Sequence, residues 1–517
     1  MKRRGSEIFG ISFSCRIFLF AFAVPYDTII SLIRRLLMDA LFTAIEAINT
    51  RVNNIVWGVP MLMLLLATGL YLTVGTRFFQ VTKFSYTLKN TIFSAFRNRK
   101  KAENSKDKAA ISPFQALATA LAATVGTGNI VGVATAITAG GAGAIFWMWV
   151  SAFFGMMTKY AEIVLGIYFR HKNEKGEWVG GPMYYIEKGL HQKWLAVLFA
   201  VFCLLASFGI GSVAQVNGIA TAVETAFRIP NFVTGIAVCA LTGFIVCGGL
   251  KRVVTVTEKF VPVMAILYIV GALAVIAVNF RNILPSFGAI FAGAFQLKSV
   301  GGGLMGYGIA RAMRYGFSRG IFSNEAGLGS SVLVHSSADV KEPVEQGLWG
   351  IFEVFFDTIV ICTLTALAIL TTDAHTIEGL EGVAVTMYAF ASVFGKAGSY
   401  AVSVGIVLFA FSTLLGWSVY GCRVSEYLGG RKVMQGYKFL FLLMTLIGSV
   451  SSVQIVWDLS DTFNGLMALP NLVGVLWLSP LVFRITNNYR SRVFLHRDIE
   501  PLLSVHQNDK FNIIYRK

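Results

Sequence analysis

Apolar runs of about twenty residues recur along almost the whole of this 517-residue chain. A run of that length, wound as an α-helix, spans the hydrocarbon core of a bilayer. The runs are continuous rather than alternating, which argues against a transmembrane β-barrel. They fall near 56–76, 114–139, 144–168, 195–225, 232–249, 256–279, 286–310, 347–370, 399–421, 436–456 and 465–485. The pattern predicts an all-α polytopic membrane protein of about 11 spans. Only 14% of residues are charged, too few to coat a water-soluble protein of this length.

The net charge of +17 would suggest nucleic acid in a soluble protein. Here basic residues holding loops on the cytoplasmic side explain it better. Segment 77–108 carries Arg77, Lys83, Lys89, Arg97, Arg99, Lys100, Lys101, Lys106 and Lys108, and every second loop after it is basic. Those loops hold Arg170, Lys172 and Lys175, then Lys251 and Arg252, then Arg311, Arg314 and Arg319, then Arg423, Arg431 and Lys432. The intervening loops hold only Arg228, Arg281 and Lys396, and include the acidic "TTDAHTIEGLEG". The alternation places the C-terminus, with the tail 486–517, in the cytoplasm and residue 56 outside.

Residues 1–37 conflict with that topology, being basic yet sent outward. Residues 17–33 read as a cleaved signal or an extra span, or else Met38 is the true start; the last removes the conflict. The expected organisation is then an N-terminal extension (1–37), one extra span with its basic loop (38–113), a ten-helix core (114–485) and the tail.

Within the first core span, "VGTGN" sets Gly126, Thr127, Gly128 and Asn129 together. Glycine weakens a helix interior by roughly 1 kcal/mol, and hydrocarbon cannot satisfy an asparagine amide. The second half opens with Gly301, Gly302 and Gly303 near the middle of span 286–310. Two Gly-interrupted spans at matching positions are the mark of a transporter with repeated halves. Unwound backbone at membrane depth must face protein, water or ligand. A half-helix N-terminus suits a carboxylate, and the C-terminal end of the other half offers carbonyls to a cation. Gly132 reads instead as a packing glycine.

Further motifs carry a resemblance. "GGAGAIFWMWVSAFFG" at 140–155, with "GTGNIVGVATAI", "TKYAE", "GGPMYYIEKG", "RGIFSNEAGLGS" and "FAFSTLLGWSVYG", resembles the sodium:alanine symporter family, also called alanine or glycine:cation symporters, over roughly 40–485. The resemblance implies the fold of the amino acid–polyamine–cation superfamily: a five-plus-five inverted-repeat core with broken first and sixth helices, plus one extra N-terminal helix. It implies sodium-driven import of small neutral amino acids across the bacterial cytoplasmic membrane. It also places a hydroxyl pair, Ser412 and Thr413, at a sodium site with carbonyls near Ala122 and Val125; all-oxygen coordination suits a hard cation.

Trp417 lies one turn beyond Thr413 on the same face, as a pocket wall or a core aromatic. Gln215 needs partners at depth, as a substrate contact or a helix tie. Lys159 and Glu162 read as an ion pair or a snorkelling lysine ahead of a proton relay. Glu353 and Asp357 should face the interior without an assigned role, and Asn324 with Glu325 read as a gate or packing element. The six cysteines form no C-x-x-C pair, and neither metal-ligand spacing, a P-loop nor a nucleophile–base constellation is present. These absences argue against an enzyme. The alternative to sodium coupling is a proton-coupled permease of the same fold.

Overall fold

The apolar runs fold as helices whose interruptions carry the functional interest. The computed structural model describes residues 43–97, 110–295, 302–450 and 454–504. The chain forms two compact units, 1–54 and 55–517. In the first, residues 43–54 are helical, and Thr50 Oγ1 donates to the Glu46 carbonyl at 2.8 Å. The expected boundary at 37/38 lies outside the described residues.

The second unit begins with α1 (Val59–Gly75), followed by short helices through Arg97 that carry part of the basic segment. Five spans then follow. The first is α2 (Pro113–Thr124) and α3 (Val133–Gly140), joined by a π-turn over Gly128–Gly132. Next is α4 (Gly143–Tyr168), leading to a hairpin of β1 (His171–Lys172) and β2 (Trp178–Val179) and to α5 (Pro182–Leu190). Then come α6 (Lys193–Phe208) and α7 (Ala214–Phe227), joined by a second π-turn over Gly209–Val213, then α8 (Asn231–Cys247) and α9 (Leu250–Val278).

Five more spans follow. α10 (Ile283–Phe295) and α11 (Gly302–Asn324) flank residues 296–301, which are outside the described set. α12 (Pro343–Val354) and α13 (Thr363–Thr371) are joined by a third π-turn, Phe355–Cys362. After α14 (Val383–Phe394), the 55-residue α15 (Lys396–Val450) is divided by non-helical backbone at Gly429 and Gly430. Its arms, 396–428 and 431–450, serve as two spans. α16 (Gln454–Trp477) closes the core and α17 (Ser479–Val493) follows it.

The core is thus five spans followed by five, the first set opening on an interrupted helix, with α1 in front. Among the described residues six helices are long and apolar enough to cross a membrane, and two bent pairs bring this to eight. The 17-residue α8 and the second arm of α15 occupy two of the other expected ranges; the expected loop with Arg311, Arg314 and Arg319 is corrected, since α11 stays helical through them to Asn324. The last expected span, 465–485, is corrected. α16 and α17 meet at a 57° bend, because Leu478 leaves helical backbone and a proline opens α17. The span therefore ends at Trp477, and the Arg-bearing α17 turns away.

Apolar packing fixes the first interruption in place. Leu121, Ala122, Val125 and Ile130 sit in one buried cluster with Val261, Met264 and Tyr268 of α9, Phe352 and Ile361 of the α12–α13 span, and Phe409 of α15. Such a core sets the helix axes at each side of the break, leaving the backbone between them little freedom to straighten.

Candidate functional site

The first core helix starts on a capping box. Gln115 N–H donates to Ser112 Oγ at 3.1 Å, and Ser112 N–H donates to Gln115 Oε1 at 2.9 Å. Gln115 Nε2 also reaches Glu258 Oε2 at 2.9 Å, and Thr119 shares a hydroxyl bond with Thr257 at 2.8 Å, so α2 is tied to α9. The helix ends where Val125 takes φ −77°, ψ 87°. Beyond it, α3 continues at 53° to α2. The last carbonyls of α2 have no helical donors ahead of them.

Asn129 holds the break open. Its Oδ1 accepts the Gly126 N–H at 2.9 Å. Its Nδ2 donates to Asp357 Oδ1 at 2.7 Å, with longer approaches to the Asp357 carbonyl and Cys362 Sγ. Asp357 Oδ2 accepts from Ser323 Oγ of α11 at 2.8 Å and from Thr358 Oγ1 at 2.9 Å. Asn324 Nδ2 reaches Thr358 Oγ1 at 3.0 Å. One carboxylate on the third π-turn therefore joins the first broken helix to α11, with Asn129, Asp357, Ser323 and Asn324 all buried. π-turns often accompany functional sites because the extra residue redirects neighbouring groups.

The first arm of α15 covers the other side of the break. A Cβ on Gly126 would fall on Thr413 Oγ1, and one on Gly416 would press on Ala123. Thr413 and Gly416 thus face the end of α2, where Ala122 and Val125 lie. Thr413 Oγ1 donates to the Phe409 carbonyl at 3.0 Å, and Ser412 Oγ donates to the same carbonyl at 2.8 Å. At the start of α7, Gln215 Nε2 donates to the Ile210 carbonyl of the second π-turn at 2.9 Å, and its Oε1 faces Thr127 Oγ1 at 3.5 Å. Gly211 packs directly under Trp417, whose ring also meets Tyr420 edge-on at 5.4 Å.

Gly126, Thr127, Gly128, Asn129, Gln215 and Thr413 thus gather around one interruption, next to the helix end carrying Ala122 and Val125, while Trp417 packs on Gly211 of the second π-turn. Gly128 faces Phe322 and Ser323 of α11. Gly302 and Gly303 open α11, and Gly301 lies outside the described residues.

A second polar group lies toward the basic loops. Lys159 Nζ donates to Ser331 Oγ at 2.8 Å and pairs with Glu353 Oε1 at 3.3 Å. His335 Nε2 bonds Glu353 Oε2 at 2.9 Å, and Gln346 Nε2 bonds His335 Nδ1 at 2.7 Å. The expected Lys159–Glu162 ion pair is corrected: both are on α4, but the ammonium turns to the carboxylate of α12. Glu162 Oε1 accepts from Asn471 Nδ2 at 2.5 Å, Asn471 also bonds Tyr185, and Glu162 Oε2 is buried with no hydrogen-bond partner among the described residues. Glu325 bonds Ser330. Sequence reasoning missed the role of Asp357 and the whole His335–Glu353–Lys159 chain. Charged residues inside apolar runs were the signal, but their partners are far away in sequence.

A broken helix tied by buried polar groups, within two sets of five spans, defines a multi-pass membrane transporter. Residues 42–500 match the sodium:alanine symporter family, and the chain belongs to it. The sodium/alanine symporter AgcS of Methanococcus maripaludis is 44% identical over 452 residues, 86% of this chain and 97% of that protein. An uncharacterized transporter of Haemophilus influenzae is 43% identical, over 89% of this chain and 99% of its own length. A probable sodium/glutamine symporter, GlnT of Bacillus subtilis, is 39% identical, over 84% and 89%. Family and relatives are transporters, which agrees with the absence of catalytic motifs in the sequence.

Proposed function

We propose that this protein imports alanine or glycine together with sodium across the bacterial cytoplasmic membrane by alternating access, with its C-terminus in the cytoplasm. One observation supports the reading most: the interrupted helix α2–α3 meets Thr413 of α15 and Gln215 of α7. Free backbone N–H groups beyond the break suit the substrate carboxylate. The carbonyl end of α2 near Ala122 and Val125, with Ser412 and Thr413, suits sodium. Thr127, Gly128 and Gln215 line the substrate side, with Gly301, Gly302 and Gly303 as the substrate contacts from the second half. Asn129 and Asp357 act as positioning residues, since their hydrogen bonds fix the backbone rather than face outward. Trp417 against Gly211 limits the space for a side chain. This favours alanine and glycine over glutamine, the substrate named for one relative.

The proton-coupled alternative has one observation in its favour, the buried Glu162 Oε2 without a partner. Radiolabelled alanine uptake into proteoliposomes separates the two. An inward sodium gradient drives accumulation on the sodium reading, whereas potassium or a proton gradient alone does not. Accumulation driven by the proton gradient without sodium selects the alternative.

A further inference from the structure

A cleft of about 70 Å³, partly open to solvent, lies on the face that carries the basic loops, between the α8–α9 turn, the β1–β2 hairpin and both arms of α15. It lies outside the site described above, and transport as proposed does not use it. Its lining holds three cations, Lys175, Arg423 and Lys438, against one carboxylate, Glu177.

Arg423 is the informative member. Its Nη1 donates to Glu177 Oε2 at 3.2 Å and to Glu426 Oε2 at 3.1 Å. Its Nη2 is buried and has no hydrogen-bond partner among the described residues, and only 6% of the side chain is exposed. A guanidinium N–H shut away from water without an acceptor is costly, and a ligand oxygen removes that cost. Lys438 Nζ donates to the Val246 carbonyl at 3.2 Å, which holds the ammonium at the cleft.

Backbone donors converge on the same place. Gly249, which lines the cleft, takes φ 77° as the residue before α9, and nothing lies within 4 Å of where its Cβ would be. It opens the N-terminus of a 29-residue helix into that space. The first N–H groups of a helix lack intrahelical acceptors and carry partial positive charge. Such an end suits a phosphate.

The neighbouring surface says what carries the phosphate. Phe439, beside Lys438, is 74% exposed, and Phe244 on α8 is 71% exposed with the Arg252 guanidinium 4.8 Å from its ring centre. An anionic head in the cleft would place its tail along these apolar side chains. We propose that the cleft binds the headgroup phosphate of an anionic phospholipid, held by Arg423, Lys438, Lys175 and the start of α9, with its acyl chains along α8 and the second arm of α15. Basic pockets between spans on one membrane face are typical of such lipids.

The test uses full-length protein in detergent, with native mass spectrometry and thermal unfolding against phosphatidylglycerol, phosphatidylcholine and inorganic phosphate. Phosphatidylglycerol should be retained and should raise the melting temperature, and the other two should do neither. Lys438→Gln and Lys175→Gln should each weaken phosphatidylglycerol binding by about fivefold. These two variants carry the test because Arg423→Gln strands Glu177 and Glu426 and endangers folding. Equal retention of phosphatidylcholine, equal protection by inorganic phosphate alone, or unchanged lipid binding in both lysine variants overturns the proposal.

Discussion

Two buried polar regions lie within this transporter, and they are built on opposite terms. In the group nearer the basic loops, Lys159, Glu353, His335 and Gln346 form a chain of bonds between 2.7 and 3.3 Å across α4, α12 and the segment between α11 and α12. Every member is fully buried. At the helix break, by contrast, Thr127 and Gln215 meet at only 3.5 Å, and the hydroxyls of Ser412 and Thr413 turn back to their own helix. Charge pairing ties helices together at fixed distance. Interrupted helices with locally satisfied hydroxyls keep donors and acceptors that a ligand can recruit. On the proposed function, the first arrangement serves structure, and the second serves exchange with a substrate and an ion. Asp357 bonds Asn129, Ser323 and Thr358 and so fixes the break.

Substitutions can break or sharpen this contrast. The largest effect is expected at Gly126, where any side chain collides with Thr413. Gly126→Val should lower alanine uptake by about 100-fold or more, as small misplacements of a reacting site do, while the protein still inserts and runs as a single species in size-exclusion chromatography. Normal uptake would make the break a packing feature. Next is Lys159→Met, which strands the Glu353 carboxylate. It should cost about 3–5 kcal/mol of stability, read as a lower thermal midpoint, with alanine affinity unchanged in the folded fraction. Adding Glu353→Met should recover most of that loss, and a double variant as unstable as the single would show that the pair is not the unit.

Smaller effects are expected at the joint. Asp357→Asn keeps one acceptor but sets a donor against Ser323 or Thr358. A loss of about 1–3 kcal/mol should appear both in unfolding and in alanine binding, unlike the Lys159 variant. An effect on stability alone would place Asp357 with the structural group. The smallest effect belongs to Trp417→Phe, which should raise uptake of glutamine relative to alanine by about tenfold, the scale of one cavity-sized adjustment. Unchanged selectivity would remove Trp417 from the pocket wall.

Much of the fold was legible in the sequence because a bilayer imposes length and hydropathy on each span. The bend at Leu478 was not, since the apolar run continues through it and only Pro480 marks the change. Gly126 to Asn129 were legible because their residue types oppose a plain membrane helix. The partner of Asn129 was not, because Asp357 comes from a π-turn 228 residues away, and no local pattern announces that extra residue. Lys159 misled for a related reason. Helical spacing offered Glu162, but the longer reach of an ammonium to another helix prevailed.

The central claim is that one broken helix serves substrate and ion together. Linkage measures this directly: alanine binding titrated at several sodium concentrations, and sodium binding at several alanine concentrations, on purified wild type and Thr413→Val. Wild type should show each ligand tightening the other by the same factor, and that factor should fall toward one in Thr413→Val as sodium affinity is lost. Alanine affinity independent of sodium in the wild type, or coupling unchanged in Thr413→Val, would contradict the account.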